Sequence, residues 1–181
     1  ILDLSPAGHQ PMTTPDGRFT IVFNGQIYNF EALRADLEAR GVRFRSRSDT
    51  EVLLELFARD GVDCLPRLNG MFAFAIYDAR ERTLVLVRDR LGVKPLFYFR
   101  SGRALAFASE LGAIRDVPGF PRELDPIALG AYFRVGAVPD WTCVYPGVRK
   151  LPPGHWIRFR LDAPGGEDPT LVAGDVLEHE A

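Results

Sequence analysis

An asparagine–glycine pair, Asn24-Gly25, directly follows a run of alternating apolar character from Phe19 to Phe23. Both residues tolerate positive φ, and glycine leaves its own N–H open to a ligand because it has no Cβ. The asparagine amide and this N–H can therefore donate to one oxygen atom, which is the donor pair that an oxyanion hole needs. The same dipeptide is also the strongest short signal for a β-hairpin turn. Taken alone, the pair favours the turn, with the oxyanion site as the alternative.

Two further features could belong to the same site. Asp49 stands at the head of a predicted helix, where its side chain could cap the helix. Arg88 and Asp89 end a predicted hairpin strand. We interpret this second pair as structural, as an ion pair that fixes a loop, because most such pairs carry modest functional weight.

Composition predicts an ordinary soluble domain. The chain has 181 residues, of which 46% are hydrophobic and 25% charged, and a net charge of -2. This charge gives no electrostatic reason to expect nucleic acid or an anionic membrane as a partner. No apolar run approaches the ~20 residues that span a bilayer, and the first residues do not resemble a signal peptide. The expected location is therefore the cytoplasm.

The cysteines and histidines form no pattern typical of a metal site or of a disulfide framework. Cys64 and Cys143 are far apart and are interpreted as small buried hydrophobic residues. We expect no metal ion. The three histidines, which are interpreted as loop or surface residues, are His9, His155 and His179.

The elements that must position these residues mix helices with hairpins. The predicted order is a strand over 19–23, a helix after Asn29 that ends at Gly41, a strand over 42–45, a helix from residue 48 or 49 to Asp60, hairpins over 71–88 and 96–108, a short helix from 109, a helix over 127–133 and a strand over 155–160. Few crossovers follow the helices, so the pattern predicts an α+β fold with largely antiparallel sheet. We expect a domain over 1–160 and a poorly ordered acidic, glycine-containing tail over 161–181.

Several motifs together resemble the class-II glutamine amidotransferase domain of glutamine-hydrolysing asparagine synthetases. They run in the family's order from residue 1 to about residue 159 and comprise Ile1-Leu2-Asp3-Leu4-Ser5, Gly8-His9-Gln10-Pro11-Met12, Phe23-Asn24-Gly25-Gln26-Ile27-Tyr28-Asn29, Ser48-Asp49-Thr50-Glu51-Val52, Leu68-Asn69-Gly70-Met71-Phe72-Ala73-Phe74, Arg88-Asp89-Arg90-Leu91-Gly92-Val93-Lys94-Pro95-Leu96, Ala108-Ser109-Glu110 and Val148-Arg149-Lys150-Leu151-Pro152-Pro153-Gly154-His155. When Asn24-Gly25 is seen together with these motifs, the oxyanion site becomes the favoured interpretation of the pair over a simple hairpin turn.

The resemblance implies an N-terminal-nucleophile hydrolase fold, an αββα sandwich of two antiparallel sheets between helical layers, here incomplete at the amino terminus. It implies that Asn24 and Gly25 form the oxyanion hole and that Asp49 holds the α-amino group of L-glutamine. Gln26 would contribute to glutamine binding mainly through its backbone. Ile1 and Leu2 would make main-chain contacts to the substrate.

Three differences from the family decide the expected activity. No cysteine with a free α-amine stands at the amino terminus to act as nucleophile. The arginine that would hold the substrate carboxylate is absent, and so is the pyrophosphate-binding stretch of the ATP-dependent half. We therefore expect a fragment that is inactive alone and marginally stable. It needs no cofactor itself. Its parent would use glutamine-derived ammonia, ATP and Mg to convert aspartate to asparagine in a C-terminal synthetase domain.

Two alternatives stay open. The chain could be the glutaminase domain of another class-II amidotransferase, although the motifs around Asp49 and Lys150 favour the asparagine synthetase branch. It could instead be a non-catalytic module of a related amide-forming or ring-forming synthetase that has lost the cysteine. The resemblance also allows a homodimer.

Overall fold

The computed structural model of the chain describes residues 3, 5–102, 104–140, 142–161 and 174–175. In chain order, its helices and strands within these ranges are β1 (Met12–Thr13), β2 (Phe19–Ile27), α1 (Phe30–Ala39), α2 (Asp49–Asp60), β3 (Gly70–Asp78), β4 (Thr83–Arg88), β5 (Phe97–Ser101), β6 (Ala104–Ala108), α3 (Pro126–Val135), β7 (Val148–Lys150), β8 (His155–Arg160) and β9 (Gly174–Asp175). Three 3-10 helices cover Pro6–Gly8, Gly61–Arg67 and Leu111–Ile114.

The strands form two antiparallel sheets. The larger sheet has the order β1-β2-β3-β4-β8-β9, and the smaller has the order β6-β5-β7. β3 lies inside the larger sheet, and residues 72–76 are buried on both of its faces. This burial agrees with the continuous apolar run of the strand, because a strand without polar alternation must be covered on both sides.

The two sheets stack, and the helices α1 and α2 cover the opposite face of the larger sheet. Alternate residues of β2 show this division. Ile21 and Ile27 pack with the helices, whereas Val22 packs towards the smaller sheet. The outer face of the smaller sheet is covered by Phe120, Cys143 and the residues of the last 3-10 helix. The predicted α+β sandwich of two antiparallel sheets is confirmed, with its outermost layer built from a 3-10 helix and loops in the described residues.

The predicted helix starts agree with the capping contacts. The Ser48 hydroxyl accepts the N–H of Thr50 at 3.0 Å, and Asp125 accepts the N–H of Ile127 at 2.7 Å. Each contact satisfies a donor that the first helical turn leaves unpaired. Asn29 precedes α1 without capping it.

The strand predicted over 42–45 does not form. The N–H groups of Arg45 and Ser46 both donate to the buried carboxylate of Glu51, so they are not available for a sheet ladder. Of the tail, Gly174–Asp175 pairs with β8 as β9, which the sequence did not predict. The expectation for the other residues beyond 161 lies outside the described residues. No helix that the structure describes is both long and apolar enough to cross a membrane.

Candidate functional site

Asn24 and Gly25 lie inside β2 and not in a turn. Asn24 is opposite Ala73 and Gly25 is opposite Phe72 in the ladder with β3. The prediction that the strand ends at Phe23 was therefore wrong, and so was the hairpin turn. A Cβ on Gly25 would overlap the Met71 carbonyl oxygen on β3. Glycine is needed here because the neighbouring strand approaches closely. An Asn-Gly pair in the sequence is compatible with either a turn or such a close contact.

The backbone N–H and C=O groups of β2 face one edge of the strand at odd-numbered residues and the other edge at even-numbered residues, and this parity determines which groups are free. The N–H of Tyr28 donates to the carbonyl of Asn69 at 2.7 Å, across the ladder with β3. Backbone groups of successive strand residues point to opposite edges, so the even-numbered residues of β2 use their N–H and C=O groups towards β3. The odd-numbered residues Phe23, Gly25 and Ile27 present theirs to the opposite edge. We call this the open edge of β2.

Along the open edge, the protein satisfies the N–H groups on both sides of Gly25. The N–H of Phe23 donates to Gln10 Oε1 at 2.6 Å, and the N–H of Ile27 donates to Asp49 Oδ2 at 3.0 Å. Earlier in the strand, Phe19 donates to the Thr14 hydroxyl and Ile21 pairs with β1. Among the described residues, Gly25 is left as the N–H of this edge without a protein acceptor. Since buried strand N–H groups are nearly always paired, this one is available to a ligand.

The Asn24 side chain joins the two sheets at the same place. Its Nδ2 donates to the hydroxyl of Ser109, just after β6, at 2.9 Å. Both residues line a cavity of about 240 Å³ between the sheets, together with Gln10. One N–H of the Asn24 amide is used by Ser109, so the second can be donated to a ligand. The two partners are 85 positions apart in the sequence, and no local pattern therefore indicates Ser109.

Asp49 is a buried carboxylate next to the open edge. Its side chain is 4% exposed, and burial raises the pKa of Asp49 above its usual range although the N–H of Ile27 opposes this shift. A carboxylate in such surroundings is energetically costly without a counter-charge, and it therefore favours a bound cation. Asp49 is the first residue of α2, so the predicted helix start is confirmed, but the side chain that caps the helix is that of Ser48 and not that of Asp49.

Glu51 holds the loop that presents Asp49, and the sequence analysis gave it no role. Its side chain is 1% exposed. It accepts the N–H groups of Arg45 at 2.9 Å and Ser46 at 2.7 Å, and also the Ser46 hydroxyl at 2.6 Å. The Ser46 hydroxyl in turn accepts the N–H of Ser48, the cap of α2. A buried glutamate thus fixes the backbone immediately before Asp49.

Arg88 and Asp89 fix a loop, as predicted, but they do so without pairing with each other. Arg88 donates to the carbonyls of Lys94, Gly92 and Leu151 and lies 3.4 Å from Asp140. Asp89 is 1% exposed and accepts backbone N–H groups. Those donors are Phe72, Leu91, Val93 and Lys94. These contacts account for both side chains structurally.

The remaining predicted site residues differ in what can be said of them. Gln26 lies opposite Met71, and by parity its N–H and C=O face β3. Its backbone is therefore committed to the sheet, and its side chain shares the face of Asn24. Ile1 and Leu2 lie outside the described residues. Within the part of the chain that the structure describes, no three or more His, Cys, Asp or Glu side chains are grouped to hold a metal ion.

Comparison with known proteins shows the family of the chain. Residues 1–165 match the family model described as a glutamine amidotransferase domain. The chain is 40% identical over 158 residues to an asparagine synthetase [glutamine-hydrolyzing] 3 of Bacillus subtilis, covering 86% of this chain and 26% of the relative. It is 35% identical over 178 residues to a putative asparagine synthetase of Methanocaldococcus jannaschii, covering 90% and 34%. An amidase, chry2 of Gibberella zeae, is 32% identical over 88% of this chain and 23% of its own length.

The fold also has solved neighbours. A glutamine phosphoribosylpyrophosphate amidotransferase from B. subtilis superposes with a TM-score of 0.61 at 24% identity, over 94% of this chain and 32% of its own. An allosteric regulatory enzyme of purine biosynthesis superposes with a TM-score of 0.62 at 23% identity, over 96% and 32%. The chain thus shares the fold of these two enzymes, which agrees with the predicted sandwich of two antiparallel sheets. The chain spans a quarter to a third of the length of the curated relatives named above.

Proposed function

The chain belongs to the glutamine amidotransferase domain family, and on that basis we propose that the open edge of β2 binds L-glutamine. The α-ammonium group would lie against Asp49. The carboxamide oxygen would accept the N–H of Gly25 and the second N–H of Asn24 Nδ2. These are the residues that an oxyanion hole and an ammonium site require.

The observation that carries this proposal is that the N–H of Gly25 has no acceptor among the described residues, whereas the N–H groups of Phe23 and Ile27 on the same edge both have one. On one side, Asp49 occupies the N–H of Ile27 and brings a negative charge to the strand edge. Two residues of a strand advance about 6.7 Å, which suits the reach of an extended glutamine from its α-nitrogen to its carboxamide oxygen. The two candidate contacts therefore have a spacing that fits one ligand.

We further propose that residues 1–181 bind glutamine without hydrolysing it by themselves. Hydrolysis needs a nucleophile to attack the carboxamide carbon while the donors hold the oxyanion. Cys64 is fully buried and burial raises its thiol pKa to about 12, so it is not a thiolate at neutral pH. Cys143 is 4% exposed. Both lie within the chain and carry no free α-amine.

In a complete amide-forming enzyme of this family, the ammonia released from glutamine would be used to make an amide. Relatives named as asparagine synthetases favour aspartate as the acceptor. As part of the same proposal, ATP and magnesium would act in a C-terminal synthetase domain of such an enzyme, and the enzyme would form homodimers. The match to a relative named as an amidase supports keeping two further candidates. These are the glutaminase domain of another class-II amidotransferase and a non-catalytic module of a related amide-forming or ring-forming synthetase. We propose a cytoplasmic location for each of these candidate functions.

The test is a binding experiment with a matched ligand. We expect L-glutamine to shift the Gly25 amide resonance of ¹⁵N-labelled chain, with glutamate release at background. Glutaramic acid, which is glutamine without its α-amino group, should bind at least about tenfold more weakly because it loses the charged contact to Asp49. Asp49→Asn should bind both ligands equally weakly. Because burial raises the pKa of Asp49, glutamine affinity should fall on acidification earlier than for an ordinary aspartate.

Two results would contradict the proposal. If glutamine leaves the Gly25 resonance unchanged, the open edge is not its site. If Asp49→Asn still prefers glutamine over glutaramic acid, the carboxylate does not hold the ammonium group. Glutamate release at the rate of an intact amidotransferase would contradict only the claim that these residues are inactive by themselves.

A further inference from the structure

Gln10 uses only half of its side-chain amide within the protein. Its Oε1 accepts the N–H of Phe23 at 2.6 Å, which identifies the oxygen because a backbone N–H needs an acceptor. The other half, Nε2, carries two donors. No hydrogen bond from Nε2 to another described residue is present. Gln10 is half-buried, so these donors are held in place by the contact to Phe23.

Gln10 itself lines the cavity that is also lined by Asn24 and Ser109. The lining of this cavity consists of apolar side chains plus three polar ones, and none of these residues is acidic or basic. All three polar side chains can donate hydrogen bonds. Such a cavity suits an uncharged group that is rich in acceptors, and a carboxamide oxygen is a group of this kind.

Gln10 also lies on the same edge as the free N–H of Gly25. Its Oε1 accepts the N–H of Phe23. Phe23 is two residues before Gly25, and its N–H points to the same edge of β2 as that of Gly25. In the same way, Asp49 accepts the N–H of Ile27, which is two residues after Gly25. On the open edge, the N–H of Gly25 therefore lies between the amide of Gln10 on the cavity side and the carboxylate of Asp49 on the helix side.

We propose that Gln10 is a further substrate-binding residue, whose Nε2 donates a hydrogen bond to the carboxamide oxygen of the bound glutamine. This inference rests on the proposed function. It adds a third donor to the pair formed by Gly25 and Asn24. The contact to Phe23 fixes the amide orientation, so that the donor is already in place before the ligand binds.

A purely structural role for Gln10 would need only its acceptor, and one substitution separates the two roles. Gln10→Glu keeps an oxygen for the N–H of Phe23 and removes both Nε2 donors at neutral pH. We expect L-glutamine to bind Gln10→Glu about tenfold more weakly, with an unchanged thermal midpoint. His9→Glu is the matched control, because it adds the same charge at an exposed neighbouring residue and leaves the amide intact.

A second measurement does not depend on any variant. The chain has two glutamine residues, Gln10 and Gln26, so their side-chain NH₂ resonances can be assigned. Adding unlabelled L-glutamine to ¹⁵N-labelled chain should shift the Gln10 Nε2 resonances together with the Gly25 amide. Both should titrate with one dissociation constant.

The outcomes separate this inference from the proposed function. If glutamine shifts Gly25 while Gln10 Nε2 stays unchanged and Gln10→Glu binds normally, Gln10 only caps Phe23 and the inference is overturned alone. If His9→Glu weakens binding as much as Gln10→Glu does, the effect is one of charge and the inference also fails. If the unmodified chain binds no glutamine at this edge, both proposals fail together.

Discussion

Gly25 is constrained by the strand beside it. A side chain there would collide with the Met71 carbonyl, and a side chain on Gly70 would collide with the carbonyl of Gln26. Two glycines thus let β2 and β3 approach closely at the end of the ladder where the site lies. The sequence identified the right pair, Asn24-Gly25, from the freedom of glycine. It could not reveal the cause, because the close contact involves a strand about fifty residues later in the chain.

We predict that Gly25→Ala destabilises the domain and prevents glutamine binding. Its Cβ must displace the Met71 carbonyl, and overpacking of this kind typically costs about 1–3 kcal/mol. Gly130→Ala is the control, since a Cβ there meets nothing within 4 Å. Within α3 that change should stabilise by up to about 1 kcal/mol. Urea unfolding measures both effects, and equal stability of Gly25→Ala and the unmodified chain would show that β3 can yield at this point.

The start of α2 combines a predictable cap with an unpredictable anchor. Ser48 and Asp49 could be identified from the sequence because caps precede helices in a local pattern. Glu51 could not, since a glutamate in the first helical turn usually faces solvent and favours the helix dipole. Here it points inward, where it accepts the N–H groups of Arg45 and Ser46. The same contacts explain why the expected strand over 42–45 is a loop.

Two glutamates one turn apart on α2 provide a matched pair for a test. Glu51→Gln replaces one acceptor oxygen by a donor amide facing backbone N–H groups, and it should cost about 1.5–3 kcal/mol. Glu55→Gln should be neutral or stabilising, because burial and the nearby Glu51 raise the pKa of Glu55 and the uncharged amide avoids that penalty. Denaturant unfolding near neutral pH would compare them. As the pH falls and Glu55 becomes protonated, any gain from Glu55→Gln should disappear.

Equal losses of stability in the two glutamine variants would contradict the special role of Glu51. They would indicate that both carboxylates act only through the charge of α2. The expected order, with Glu51→Gln far less stable than Glu55→Gln, follows from their different partners. The helix itself is the same in both proteins.

At the scale of the whole molecule, the features that the sequence predicted depend on local patterns. The features that it did not predict depend on contacts between residues far apart in the chain. The hairpins, the buried β3 and the helix caps all follow from short stretches, and the family resemblance follows from motifs in order. The contact between Asn24 and Ser109, which joins the two sheets, has no local signature. The exposure of α3 is also non-local. The sequence predicted a helix over 127–133, but not that Ile127 is 69% and Phe133 is 82% exposed.

This exposed face predicts how the isolated chain should behave. Exposed apolar side chains on one helix favour self-association at high concentration, since burying them releases water from apolar surface. Phe133→Ser should therefore reduce concentration-dependent light scattering while leaving the thermal midpoint unchanged. Phe120→Ser is the matched control, because Phe120 is 6% exposed and packs against Phe99 and Tyr145 with ring centroids 5.4 and 4.9 Å away. That loss should cost about 3–5 kcal/mol. A similar drop in midpoint for Phe133→Ser at low concentration would mean that the α3 face is covered within a single chain.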